Sequence, residues 1–318
     1  MTQPIPHWPG RLVDLGGQQV YLRSAPYPEG PRAPGQGAEP ALFVHGLEGS
    51  SRNWTDLMDL LRARLACDAV DLPGFGDSPP RPDGRYSVAA FAQTVIALIR
   101  HQRRGPVHLV GNSLGGAVCV KVAAARPELI RTLTLISPAL PDLRPRLDLL
   151  RFPVMGLPRV GPRLIRQYQA TQPESRVAAV IATCYSNPGL YPQARFAAEV
   201  AELNRRDSLE YAVAALVGSA RALTAEFLRT DRHSPWRDAA RVTAPTLVIY
   251  GQHDRLVDPR AAGRAAHAFR DARIVVLPRT GHIAQMEHPG LVAAEIGILL
   301  DGAASAAPVR EFPLAPAG

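Results

Sequence analysis

The sequence predicts an α/β protein built on one doubly wound, mostly parallel sheet flanked by helices, with a helical segment inserted ahead of the last two strands. Three observations predict it. Short apolar runs rich in β-branched residues alternate with stretches of helical spacing from residue 41 to 138, and again from 245 to 300. The runs lead into loops bearing glycine or proline, as in Val44-His45-Gly46 and Asp71-Leu72-Pro73-Gly74. Between about residues 139 and 235 the alternation stops, and proline-interrupted helical sequence takes over. At 318 residues and 46% hydrophobic content, the chain is long enough for one large domain carrying an insertion. The expected division is a first core part over 1–138, a helical lid over 139–235, a second core part over 236–301 and a disordered tail over 302–318.

Taken in order, residues 11–23 read as a hairpin, because Leu12-Val13-Asp14-Leu15 and Gln19-Val20-Tyr21-Leu22 flank Gly16-Gly17. Residues 24–40 are dense in proline and glycine and read as an exposed loop. Ala41-Leu42-Phe43-Val44 is a buried strand ending in the glycine-rich loop Gly46-Leu47-Glu48-Gly49, and residues 54–65 have helical spacing with Asn53 placed to cap them. The loop lacks both the lysine of a P-loop and the spacing of a dinucleotide fingerprint. Residues 68–72 form the next strand and 88–100 a helix. A further strand over 132–136 follows the stretch 107–118 described below.

In the insertion, aliphatic residues mix with Arg144, Arg146, Arg151, Arg159, Arg163 and Arg166. Two readings compete, a solvated cap and a basic amphipathic face that touches membrane or acyl chains. The prolines interrupt the helical stripe, which favours the solvated cap. Helical spacing resumes over 197–228. The core pattern returns with a strand over 245–250, a helix to about 269, a strand over 273–277 and a final helix opened by Pro289.

A formal charge of +8 raises the question of nucleic acid, but the basic residues are scattered arginines with Lys121 the only lysine. No helix-turn-helix, zinc or RNA-binding signature accompanies them, so no nucleic-acid partner is expected. Cys67, Cys119 and Cys184 lie too far apart for a short-spaced metal pair or a disulfide framework. The amino terminus lacks a basic region followed by an apolar stretch, and no run of about 18 apolar residues occurs. A soluble cytoplasmic protein is the expectation.

The chemistry centres on Val107-His108-Leu109-Val110-Gly111-Asn112-Ser113-Leu114-Gly115-Gly116. A β-type run meets Gly-x-Ser-x-Gly and passes directly into a small-residue helix, which is the strand, sharp turn and helix of a nucleophile elbow. Ser113 is therefore the candidate nucleophile. A serine hydroxyl is weak at neutral pH and needs an imidazole base oriented by a carboxylate. His282, just beyond the last strand, is the best placed base, with His253 and His288 as rivals. Asp254 follows a buried strand and is the preferred acid. Asp142 is the alternative, while helix capping accounts for Asp258.

The order Ser113, Asp254, His282 resembles that of the α/β-hydrolase superfamily. The resemblance covers residues 41–140 and 244–300. It rests on His45-Gly46, on Asp71-Leu72-Pro73-Gly74-Phe75-Gly76-Asp77-Ser78 and on Gly111-Asn112-Ser113-Leu114-Gly115-Gly116. Gly251-Gln252-His253-Asp254 with Pro259, and Gly281-His282 with Glu287 and Pro289, complete it. It implies an α/β-hydrolase fold and oxyanion donors at the backbone N–H groups of Leu47 and Leu114. It also implies serine hydrolysis with no metal or organic cofactor. Glu48, His45 and Ile283 are the expected pocket residues.

A serine at the elbow separates the chain from the dehalogenase and epoxide-hydrolase branches, which carry aspartate there. Carboxylic-ester hydrolysis on a small apolar substrate is the first expectation, since the lid is aliphatic with few aromatics. Carbon–carbon hydrolysis of meta-cleavage type is the second, because Gly111-Asn112-Ser113 and the residues around His282 resemble that branch. Ile283 replaces its usual tryptophan, and Leu47-Glu48-Gly49 departs from its Gly-Pro-Gly type of loop. A non-catalytic ligand-binding member of the fold is the third.

Overall fold

In the computed structural model, residues 4–26, 38–141 and 151–305 are described. The hairpin β1 (Gly10–Asp14) and β2 (Gln19–Ser24) turns through Gly16 and Gly17, both at positive φ. With β3 (Glu39–Val44), β4 (Leu65–Val70), β5 (Val107–Asn112), β6 (Ile130–Ile136), β7 (Thr246–Gly251) and β8 (Ala272–Leu277), it forms one sheet. The order is β1-β2-β4-β3-β5-β6-β7-β8. β1 and β2 pair antiparallel with each other, β2 joins β4 antiparallel, and the remaining pairings are parallel.

Alternation within the strands sets the layers. Ala41 and Phe43 of β3 face one side and Leu42 and Val44 the other, all buried. Leu247 and Ile249 of β7 likewise oppose Val248 and Tyr250. A strand buried on both faces needs helices on both sides of the sheet. The first side receives α1 (Thr55–Leu61), and the second α2 (Val88–Gln102) and α3 (Leu114–Ala125). Between β6 and β7 run α4 (Arg151–Met155), α5 (Val160–Gln169), α6 (Pro173–Cys184), α7 (Gln193–Asp207) and α8 (Ala212–Phe227). Val177, Ile181 and Tyr185 form a small core of their own there. The short α9 (Pro235–Ala239) and α10 (Ala261–Ala268) return to the second side, and α11 (Ala284–Glu287) and α12 (Pro289–Ser305) to the first.

Several boundaries differ from the sequence expectation, each for a local reason. Glu39 and Pro40 belong to β3 rather than to a loop, because they pair with Leu65 and Ala66. The helix expected over 54–65 begins as a single 3-10 turn and ends at Leu61. Its cap is Ser50, whose side chain accepts from the Arg52 N–H, while Asn53 is the reciprocal partner, accepting the Ser50 N–H at 2.8 Å. Leu65 is already a strand residue, since β4 is buried along its whole length between β2 and β3. The helical stretch over 197–228 is divided into α7 and α8. Residues 302–305 continue α12 instead of opening a tail, and the remainder of the expected tail lies outside the described residues, as do 27–37 and Asp142.

Candidate active site

Ser113 follows β5 directly and precedes α3, with φ +53° and ψ −118°. A non-glycine residue at this geometry is held by its surroundings against a cost of about 1–3 kcal/mol. Two sets of bonds hold it. Its N–H donates to Ile136 O at 3.1 Å, and its carbonyl accepts from Ala117 and Ala139. Gly115 lets the helix start press against β3, because a Cβ there would lie 2.2 Å from Val44 O.

Asp254, three residues beyond β7, is buried, and its Oδ2 lies 2.8 Å from His282 Nδ1. Its other oxygen accepts the N–H groups of Leu256 and Val257 at 2.8 and 2.9 Å. Burial pushes the Asp254 carboxyl up, but the neighbouring His282 imidazole and these hydrogen bonds outweigh it and hold the group below its usual range. The carboxylate thus fixes the ring, with Nδ1–H donating to Asp254, and His282 lines the same cavity as Ser113.

The His282 backbone is anchored on three sides. Its N–H donates to Cys184 O at 2.7 Å, and its carbonyl accepts from Asn112 Nδ2 at 3.2 Å. The preceding Gly281 N–H donates to Glu287 Oε2 at 2.6 Å. A side chain on Gly281 would collide with Cys184 O at 2.2 Å, so only glycine lets α6 close onto this loop. Asn112 and Glu287 appear in the sequence motifs without a role. Their function shows only once β5, α6 and the loop after β8 meet.

The rival residues are placed elsewhere. His253 is exposed, with Nδ1 2.8 Å from Ser186 Oγ, and His288 Nε2 lies 3.3 Å from Arg279 O. Asp258 does not cap α10, which has no side-chain cap; it accepts the Arg260 N–H at 3.0 Å in the turn before the helix and pairs with the Arg260 guanidinium. His45 is corrected as a pocket residue. It is buried behind the loop, with Nδ1 2.7 Å from Gly46 O and Nε2 accepting the Leu72 N–H at 2.9 Å. Burial lowers its pKa to about 4, so it is a neutral tie between β3 and the loop after β4. Leu47, Glu48 and Ile283 do line the cavity, and Leu114 is the first residue of α3, where the N–H has no acceptor within the helix. Glu48 takes φ +60°, and its carbonyl accepts from the Arg206 guanidinium of α7.

The cavity has a volume of about 420 Å³. Much of its wall comes from α4, α5 and α6, through residues such as Phe152, Met155, Leu164, Ile165 and Val180. These were not singled out from the sequence, because nothing local marks one face of a short helix as a pocket wall. Arg176 also reaches the wall, but it is buried in a two-point ion pair with Asp207 and lies 4.8 Å from the Tyr168 ring centre. Cys184 is on the wall too, and burial pushes its thiol up to about 12, far from a thiolate nucleophile at neutral pH. No helix among the described residues is long and apolar enough to cross a membrane.

Known proteins match this architecture over most of the chain. It is 28% identical over 300 residues to a 2-(acetamidomethylene)succinate hydrolase of Mesorhizobium japonicum, covering 93% of this chain and 96% of that one. It is 26% identical over 256 residues to a dihydrolipoyllysine-residue acetyltransferase component of an acetoin cleaving system from Pseudomonas putida. That match takes in 80% of this chain but spans only 61% of the relative's length. A solved structure described as a membrane phospholipase A superposes with a TM-score of 0.74 at 23% identity, covering 94% of this chain and 87% of that one. The family model for the α/β hydrolase fold matches residues 40–289. The chain is a member of the α/β-hydrolase family.

Proposed function

We propose that this hydrolase cleaves a carboxylic ester with an apolar acyl or alkyl group through an acyl-enzyme on Ser113. The observation that carries the reading is the shared cavity. Ser113 and His282 both open into it, and the wall from α4, α5 and α6 is predominantly aliphatic and aromatic. Ser113 Oγ attacks the ester carbonyl while His282 Nε2 takes its proton, and Asp254 stabilises the imidazolium that forms. The N–H groups of Leu47 and Leu114 hold the developing oxyanion. The same imidazolium protonates the leaving alcohol. Water, activated by His282, then releases the acid. Residues 139–235 act as the lid that supplies the apolar wall and limits entry of water.

Hydrolysis of p-nitrophenyl esters from acetate to palmitate, compared between the native chain and Ser113→Ala, tests the reading. Turnover that depends on Ser113 and peaks at an intermediate or long acyl chain is expected. Fluorophosphonate labelling of Ser113 without turnover of any ester would overturn the substrate class. Carbon–carbon hydrolysis of a vinylogous diketone is then the second reading, favoured by the Asn112-Ser113 pair and by Arg151 on the wall.

A further inference from the structure

The proline within α5 does not interrupt the amphipathic surface of that helix. Pro162 is the third residue of α5, within the first turn, where a backbone N–H has no helical acceptor to lose. The helix therefore runs unbroken from Val160 to Gln169, and Val160, Leu164 and Tyr168 stand one turn apart in a row. These three, with Val154 and Leu157 before them and Val180 of α6 beside them, are each 41–47% exposed. Leu164, Tyr168 and Val180 also line the cavity, whereas Val154, Leu157 and Val160 do not. The apolar strip thus leads from the outer surface to the mouth of the active site.

Charge accompanies the strip on one side of the ledger only. Residues 151–170 contain Arg151, Arg159, Arg163 and Arg166 and no aspartate or glutamate, and all four arginines are exposed. We infer that the α4–α5 face docks the enzyme on an anionic lipid surface. A face that offers aliphatic side chains and guanidinium groups together needs an occupant that accepts both at once. The boundary between anionic headgroups and acyl chains does so. The cavity mouth then opens against the bilayer, and the substrate is an amphiphilic acyl ester drawn from it. This last point rests on the ester reading above, whereas the docking does not.

Docking is read by co-sedimentation of the full chain carrying Ser113→Ala, which separates it from turnover. The probes are phosphatidylcholine vesicles and vesicles of phosphatidylcholine mixed with phosphatidylglycerol. Binding to the mixed vesicles alone, weakened by added salt, is expected. Arg159→Gln/Arg163→Gln/Arg166→Gln is expected to bind about 100-fold more weakly, from roughly 1 kcal/mol per arginine. Leu157→Ser/Val160→Ser tests the apolar part and is expected to reduce binding as well. In the otherwise native chain, neither set changes hydrolysis of a soluble short-chain ester, whereas both slow hydrolysis of a long-chain ester presented in mixed vesicles. Equal binding to both vesicle types, no binding to either, or undiminished binding by the triple-arginine variant would overturn the inference. A dimer in solution that Leu157→Ser/Val160→Ser converts to monomer, with no vesicle binding, would assign the face to a second copy instead.

Discussion

Glu287 accepts the Gly281 N–H at 2.6 Å with one carboxylate oxygen and the Asn187 N–H at 2.9 Å with the other. One buried side chain thereby joins the loop that carries His282 to the segment following α6. A carboxylate suits this place because both partners are donors and it offers only acceptors. Glu287→Gln turns one acceptor into an NH₂ group facing an N–H. The expected result is a kcat lower by about 10-fold with KM little changed, through displacement of the imidazole. Steady-state kinetics alongside thermal melting check it, and a melting change with unaltered kcat would make Glu287 purely structural.

Ser113 combines function with backbone strain. Ser113→Gly is expected to abolish fluorophosphonate labelling while raising stability by about 1–2 kcal/mol, since glycine takes φ +53° without steric cost. Labelling by mass spectrometry and chemical denaturation are the two measurements. Destabilisation would show that the elbow is not strained.

His282→Ala is expected to lose at least about 10³-fold in kcat. His253→Ala and His288→Ala are expected to remain within a few-fold of the native rate, because their ring nitrogens meet the Ser186 hydroxyl and the Arg279 carbonyl rather than Asp254. Parallel assays of the three variants decide which imidazole is the base.

Asp254→Asn keeps the shape of the site but replaces an acceptor toward His282 Nδ1, and a loss of about 10⁴-fold in kcat is expected. Asp258→Asn is expected to cost stability at the start of α10 with catalysis retained, given its bonds to Arg260. A variant pair with the opposite pattern would move the acid to Asp258.

His45 makes stability depend on pH. Its folded pKa, about 4, lies below the ordinary value of 6.5, so the unfolded chain binds the proton more readily. The stabilisation is complete above pH 6.5 and is lost as pH falls toward 4, amounting to about 3 kcal/mol over that window. His45→Gln should flatten the pH dependence of unfolding free energy between pH 6.5 and 4. An unchanged slope would place the titration on another group, His7 being the next candidate with a pKa also lowered to about 4.

Much of this protein is written locally. Short apolar runs rich in β-branched residues made the strands legible, and the passage from Val107-Val110 through Gly-x-Ser-x-Gly into a small-residue helix marked the elbow, because steric demands at Gly115 act on the residues beside it. The family order of serine, aspartate and histidine was legible for the same reason, each following a recognisable strand. What the sequence alone could not supply depends on elements brought together from far apart. Whether His45 faces a pocket or a backbone N–H is decided by where Leu72 lies, 27 residues away. The anchoring of His282 by Asn112, Cys184 and Glu287 joins β5, α6 and the loop after β8. The cavity wall and the exposed row on α5 likewise depend on which side of a short helix the neighbouring helices cover. Local sterics are carried by each residue and its neighbours in the chain, whereas burial and hydrogen-bond partnership belong to pairs that only the folded chain brings together.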